Sequence, residues 1–258
     1  MSESALLALI GGVFGAVIGS FLNVCIVRLP SEQSVVSPPS RCPRCGRPVG
    51  WRDNIPVLSW LLLRGKCRGC REPISSLYPL VELSVALLWA AMAWHYGLSL
   101  EALKGALFGT LLIGIALTDA REYIIPNEFT WGGLAIGMVL AAASGVNGII
   151  VAAIGAAVGF GILYLVGALG TWAFKKEAMG GGDIKMMAMV GSFLGWQGVL
   201  LTIFLGALAG IAIFLPLRIL KKEEKLVPFG VFLAIGAAVT YVVGPALVAW
   251  YQRYLGVG

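Results

Sequence analysis

Apolar residues come in eight long runs along this chain, at residues 6–27, 78–95, 100–117, 129–143, 149–172, 184–196, 199–220 and 229–251. About 20 apolar residues in a helix cross the hydrocarbon core of a bilayer. The pattern therefore predicts about eight membrane-spanning helices. The run at 184–196 is short, which predicts a tilted or half-buried helix, or one that begins above the glycines before it. The first run has no basic segment ahead of it and no small-residue cleavage site, which predicts a retained helix rather than a removed signal. The one long polar stretch covers residues 29–77 and is rich in proline and basic residues. The chain thus divides into a first transmembrane helix (1–28), a soluble segment (29–77) and a seven-helix membrane domain (78–258).

Composition sharpens this. Of the 258 residues, 59% are hydrophobic and only 12% charged, and the mean hydropathy is +0.89. Such values exclude a soluble globular domain and define an all-α polytopic membrane protein whose first partner is the lipid bilayer. Glycines recur every four residues at Gly11/Gly15/Gly19, Gly155/Gly159 and Gly206/Gly210, the spacing that lets helices approach closely in lipid.

The net charge of +6 would suit a nucleic-acid binder, but its distribution does not. With eight spans, 17 of the 19 Lys and Arg fall in loops on one side: nine within residues 28–71, then Arg121, then Lys175, Lys176 and Lys185, then Arg218, Lys221, Lys222 and Lys225. Lys104 and Arg253 are left for the other side. The positive-inside rule then puts the soluble segment on the cytoplasmic side and both termini outside. No nucleic acid is expected as a partner.

Cysteine is concentrated in the soluble segment. Cys42-Pro43-Arg44-Cys45 and Cys67-Arg68-Gly69-Cys70 are two CxxC knuckles separated by 21 residues. Each knuckle aims two thiolates at one point, and two complete a tetrahedral site for structural Zn2+, with no open position for catalysis. Forty-nine residues are too few for an ample apolar core, so a metal staple is expected. The competing reading is two disulfides, which a reducing cytoplasm disfavours. Gly46 and Gly69 are expected to supply the turns. Cys25, inside the first run, reads as a small core residue.

The chain has three aspartates. Asp53 lies in the soluble segment and reads as a solvated or turn residue. Asp119 follows the third apolar run, and Asp183 closes the string Gly180-Gly181-Gly182. An ionised carboxylate at membrane depth is costly and marks function by default. Two acids that share a proton and orient one water are the minimum equipment of an aspartic protease. Asp119 and Asp183 are the candidate pair, both on the basic, cytoplasmic side. Pro126 ends the helix after Asp119, and the glycines let backbone pack close or take positive φ beside Asp183. The plainer reading is that these acids snorkel at helix ends or pair with Arg121 and Lys185. His95, the lone histidine, sits at the far end of the second run, which removes His-based zinc and triad chemistry. A Ser–Lys dyad stays formally open.

In this order the motifs resemble one family. Gly19-Ser20-Phe21-Leu22-Asn23-Val24 with Arg28-Leu29-Pro30, Arg41-Cys42-Pro43-Arg44-Cys45-Gly46, Asn54-Ile55-Pro56-Val57-Leu58-Ser59-Trp60, Arg64-Gly65-Lys66-Cys67, Tyr78-Pro79-Leu80-Val81-Glu82, Met179-Gly180-Gly181-Gly182-Asp183-Ile184-Lys185 and Pro228-Phe229-Gly230 are similar to the type IV prepilin peptidases. These are GxGD intramembrane aspartic proteases that also methylate their product. The resemblance implies that Asp119 and Asp183 are catalytic, with Gly180, Gly182 and Lys185 supporting the catalytic loop. It implies type IV prepilins or pseudopilins as substrates, cut after Gly in a short basic leader. The new N-terminal residue, usually Phe, is then methylated from S-adenosylmethionine. It also implies the bacterial inner membrane as the location, and pilus or type II secretion assembly machinery as partners. Four cysteines favour the bifunctional form over peptidase-only relatives. Gly65, Asn23, Asn54 and Glu82 are the candidates for the methyl-donor site, each with an alternative as a cap or packing residue. Gly181 stands where the family often has an aromatic residue, and only loop stiffness is expected to change. A transporter, or an assembly scaffold with structural zinc, is the alternative from another class. It expects internal repeats, which the chain lacks.

Overall fold

The computed structural model describes residues 2–221 and 228–254. Eight α-helices carry almost all of its regular structure: α1 (Glu3–Arg28), α2 (Leu58–Leu62), α3 (Leu77–Tyr96), α4 (Leu100–Glu122), α5 (Asn127–Ala142), α6 (Gly145–Phe174), α7 (Gly181–Lys221) and α8 (Phe229–Tyr254). Among the described residues the only β pairing is two isolated bridges in the cysteine segment. The expected all-α membrane architecture is therefore present. All eight apolar runs are helical.

Among the described residues six helices, α1, α3, α4, α6, α7 and α8, are long and apolar enough to cross a membrane. The runs at 184–196 and 199–220 lie on one helix, α7, broken at Gly195, whose backbone has φ 69° and ψ 178°. Only a residue without Cβ adopts that geometry easily, so α7 turns there without a loop. The run at 129–143 forms α5, whose 16 residues extend about 24 Å at 1.5 Å each. The basic loop carrying Lys222 and Lys225 lies outside the described residues.

The chain forms two compact units, one running to Thr110 and the other starting at Leu111. In the first, α1 packs along α3. Gly11, Gly15 and Gly19 make this possible: a Cβ on Gly15 would lie 2.8 Å from the Val85 carbonyl, and one on Gly19 2.8 Å from Glu82 Cα. Buried Asn23 fastens the same pair of helices by donating from Nδ2 to the Tyr78 carbonyl at 3.0 Å. Cys25 on α1 is buried as a core residue. Trp89 on α3 donates to Thr110 Oγ1 on the first half of α4 at 3.0 Å.

In the second unit α7 is central and packs against α5, α6 and α8. Met186, Met187, Met189 and Val190 on its first half are fully buried. Gly155 and Gly159 on α6 face the Gly191 and Met187 carbonyls of α7 so closely that neither has room for a side chain. Gly206 serves α7 against α8 in the same way, its Cβ position 3.1 Å from the Phe232 carbonyl. The glycine spacing read from the sequence is thus used for close helix crossings.

Candidate functional site

Asp119 lies in the last turn of α4, where the Tyr123 amide donates to its backbone carbonyl at 3.0 Å. Tyr123 takes a left-handed φ of 55° and ends the helix. Ile124, Ile125 and Pro126 then run extended into α5, for which Pro126 is the N-cap residue. A proline placed there cannot continue α4 and starts α5 without a lost donor. Asp183 is the third residue of α7 and stands in its first turn. An acid in a first helical turn is favoured by the exposed amides and the helix dipole.

These two aspartates, 64 positions apart in sequence, are within electrostatic reach of one another. Asp119 is buried, at 6% exposure, and Oδ2 accepts the Val231 backbone N–H at 3.1 Å. Gly230 lies against the same carboxylate, its Cβ position 2.9 Å from Asp119 Oδ2. Val231 is the third residue of α8, so the start of that helix seats the carboxylate. Asp183 Oδ1 is buried and has no hydrogen-bond partner. A buried polar atom left unpaired is unusual and calls for a functional explanation. Ile125 wedges the site from the α4–α5 connection. A Cβ on Gly182 would lie 3.0 Å from Ile125 Cβ, and one on Gly230 2.7 Å from Ile125 Cδ1. Gly180 borders the second acid, its Cβ position 3.3 Å from Asp183 Oδ2. The glycines before Asp183 therefore supply close approach. Positive φ, the other use expected of them, occurs at none of the three. Gly181 faces open space, so its position in the motif tolerates a side chain.

Neither aspartate takes part in an ion pair among the described residues. Lys185 Nζ instead donates to Asn127 Oδ1 at 2.9 Å, tying the start of α7 to the start of α5. It faces no serine hydroxyl there. His95 packs edge-on against Tyr96 at the end of α3. Val231, Gly230, Ile125 and Asn127 were not singled out as site residues by sequence. The only signal was the motif Pro228-Phe229-Gly230 before an apolar run, which named no partner.

The cysteines come together in the first unit. Cys42 and Cys70 sulfurs are 3.7 Å apart, Cys45 and Cys67 sulfurs 4.0 Å. All four lie within 4.8 Å of one another, and none forms a disulfide. Four thiolates about 2.3 Å from one tetrahedral ion have sulfurs about 3.8 Å apart, so the set fits a metal. The knuckles share one register: Arg41 bridges Pro48 and Lys66 bridges Pro73. Gly46 takes φ 69° after the first knuckle as expected, but Arg71, with φ 61°, does so after the second, in place of Gly69. The Cys70 and Gly69 amides point at the Cys67 sulfur and bring its pKa down to about 6. That thiol is primed to be a thiolate ligand. Asp53 is held below the usual carboxylate range by Arg68, which grips it through Nε at 2.8 Å and Nη2 at 2.7 Å. It is thus an ion-pair residue rather than a merely solvated one.

Asn23, Asn54 and Glu82 line one cavity of the first unit. Gly65 does not. It backs the Trp60 ring, to which a Cβ would come within 2.9 Å. Trp60 is held further by its Nε1–H bond to the Ile74 carbonyl at 3.1 Å.

The architecture and the two clusters define a polytopic membrane protein with two neighbouring acids at helix ends and a four-cysteine cluster. Residues 13–96 match the Bacterial Peptidase A24 N-terminal domain, and residues 106–215 match the Type IV leader peptidase family. The first match contains all four cysteines and the second both aspartates. A protein of Aeromonas hydrophila named "Prepilin leader peptidase/N-methyltransferase" is 36% identical over 273 residues, covering 93% of this chain and 91% of that protein. One of the same name from Pseudomonas aeruginosa is 33% identical, covering 95% and 93%. A third, from Myxococcus xanthus, is 44% identical over 201 residues, which is 78% of this chain and 60% of that protein. No solved structure matches. The chain belongs to the type IV leader peptidase family.

Proposed function

We propose that this protein is a bifunctional prepilin leader peptidase and N-methyltransferase in which Asp119 and Asp183 perform the cleavage. The observation that carries the reading is their juxtaposition: Asp119 seated on the start of α8, and the half-buried Asp183 within its electrostatic reach, with a buried, unpaired Oδ1. In such a pair one carboxyl group is ionised and takes a proton from water as its oxygen attacks the scissile carbonyl. The protonated partner donates a hydrogen bond to the carbonyl oxygen and then protonates the departing nitrogen. The leader leaves with a new carboxylate on its terminal Gly, and the mature chain with a free amine. Gly180 and Gly182 leave the site narrow enough for backbone alone, and Lys185 fixes the loop through Asn127.

The new amine, once deprotonated, attacks the methyl carbon of S-adenosylmethionine. The S–CH3 bond breaks, S-adenosylhomocysteine leaves and a proton goes to solvent. This step belongs to the first unit, where Asn23, Asn54 and Glu82 share a cavity and Gly65 supports its wall. The substrate is a type IV prepilin or pseudopilin with a short basic leader ending in Gly, and the working partners are pilus or type II secretion machinery. The basic-residue distribution supports an inner-membrane enzyme with aspartates and cysteine segment facing the cytoplasm and both termini outside.

The test is mass spectrometry of a purified prepilin incubated with the detergent-solubilised protein. Loss of the leader without the methyl donor, and loss plus about 14 Da with it, is the expected result. Cleavage with no methylation selects a peptidase alone, and no cleavage removes the reading.

The metal of the cysteine cluster is Zn2+, held by Cys42, Cys45, Cys67 and Cys70 in a structural role. The purified protein is expected to carry one zinc per chain and Cys67→Ser to lose nearly all of it, read by elemental analysis. Because such sites fold with their metal, limited proteolysis is expected to open residues 29–77 in the variant. Wild-type protection of that segment without zinc would count against the assignment.

A further inference from the structure

Helix α2 has only five residues, and three of them are leucines. Leu58, Leu61 and Leu62 stand at i, i+3 and i+4, the spacing of one helical face. All three are exposed, Leu62 at 79% and the other two at 56%. Trp51, shortly before α2, is exposed at 75%. The other side of α2 turns inward. Ser59 is buried, accepts the Ile55 amide at 2.9 Å and donates to the Arg52 carbonyl at 3.0 Å. Trp60 donates from Nε1 to the Ile74 carbonyl at 3.1 Å. These bonds fix which face packs and which stays bare. A bare cluster of large apolar side chains marks a contact with a protein or a membrane.

Tertiary contacts set the height of α2 against the membrane helices. The Val57 amide, immediately before α2, donates to Glu82 Oε2 at 2.7 Å. Glu82 is the sixth residue of α3, about 7.5 Å from its start at 1.5 Å per residue. Helix α3 is one of those long and apolar enough to cross a membrane. Leu80 and Leu83, on either side of Glu82 in sequence, are exposed, so α3 already presents apolar side chains outward at that level. The far end of the α2 region is held low as well. The Ile74 amide, three residues before α3, donates to the Gly65 carbonyl at 2.7 Å. Helix α2 therefore lies beside the outermost turns of a membrane helix rather than out in solvent.

Charge selects what covers the bare face. Arg52, Arg64 and Lys66 bracket it, all exposed and none in an ion pair among the described residues. Asp53 is the one acid from Trp51 to Lys66, and Arg68 takes it up at 2.7 Å. A second copy of this chain would set the same three cations against these, and a basic peptide is repelled in the same way. An anionic bilayer surface offers apolar depth and negative charge together, and an indole suits the boundary between them. We propose that α2 and Trp51 dock on the surface of a bilayer containing anionic phospholipid. The leucines enter the boundary of headgroups and acyl chains, and Arg52, Arg64 and Lys66 pair with lipid phosphates. The cysteine-bearing segment then lies down on the membrane between its two anchoring helices. Docking of this kind depends on neither catalytic activity.

The test is photolabelling of the full-length protein in phosphatidylcholine vesicles, with and without phosphatidylglycerol. The probe is a phospholipid with a photoreactive group in its acyl chain close to the headgroup, and mass spectrometry of peptic fragments locates the label. Residues 51–66 are expected to be labelled in the wild type, and more strongly with phosphatidylglycerol. Leu61→Asp/Leu62→Asp is expected to cut that labelling at least about tenfold, because two apolar side chains no longer enter the bilayer. Label on the transmembrane helices is expected to stay as it was, and so is the melting temperature, since both leucines are exposed. Should the double variant melt early, Leu62→Gln alone gives the same reading with a smaller fall. Arg52→Gln/Arg64→Gln/Lys66→Gln is expected to abolish the gain from phosphatidylglycerol. An unlabelled 51–66 segment in the wild type would overturn the proposal, as would labelling that the aspartates leave unchanged. Cross-linking of this segment to its counterpart in a second chain would make the face a dimer contact and overturn lipid docking.

Discussion

Replacing Asp119 or Asp183 with asparagine is expected to lower leader cleavage by about 10²–10⁴-fold, the contribution of a positioned acid or base. Asparagine matches aspartate in shape and keeps an oxygen at either position. Asp119→Asn can still accept the Val231 amide now 3.1 Å from Oδ2. Asp183→Asn removes a charge from a carboxyl whose Oδ1 is buried and unpaired. Burying an unpaired charged group opposes folding, so this variant is expected to melt at or above the wild-type temperature while losing activity. Thermal unfolding and mass spectrometry on the same sample read both effects. Cleavage within tenfold of wild type in both variants would remove the pair as the catalytic centre. Parallel loss of melting temperature would instead recast the acids as structural.

The second large effect is expected from Gly230→Ala. The added Cβ would lie 2.9 Å from Asp119 Oδ2 and 2.7 Å from Ile125 Cδ1. One of the two must move, and turning Asp119 away breaks its hold on the Val231 amide. A displacement near 1 Å at a reacting group costs about 10²-fold in rate, and that is the expected fall in cleavage. Overpacking of this size lowers stability by about 1–3 kcal/mol, so the fold survives and melting drops by a few degrees. Gly181→Ala is the matching comparison, because its Cβ meets nothing within 4 Å. It is expected to cleave close to the wild-type rate. Equal rates for the two variants would show that Asp119 does not depend on the start of α8.

Much of this arrangement was legible along the chain. Runs of apolar residues report helices because a membrane solvates every face of a helix alike, so hydrophobicity needs no partner to be read. The two CxxC knuckles report their site because each pairs its own thiolates within a few residues. Pro126 marks the start of α5 by local sterics alone, while α4 already ends at the left-handed Tyr123. Asp119 and Asp183 were visible because charge is scarce in such a chain, and the glycines spaced by four were visible as crossing points. The runs at 184–196 and 199–220 were legible as two segments, and the structure joins them without a loop: the non-helical backbone of Gly195 alone separates the two helical halves of α7. Gly69 was expected to shape the second knuckle, yet Arg71 takes the left-handed position because the shared register of the two knuckles dictates it.

The sequence by itself determined the helical membrane architecture, the pair of acids and the four thiolates, since each rests on residue chemistry or on neighbours a few positions apart. Only the tertiary structure decided what those groups meet. Val231 reaches Asp119 across 112 positions, and Glu82 reaches Val57 across 25. Ile125 wedges between two glycines, Lys185 turns to Asn127 rather than Asp183, and Gly65 stands behind Trp60 instead of in the cavity. Such contacts depend on how helices cross, and crossing geometry is set by the summed packing of both partners, which no local pattern contains.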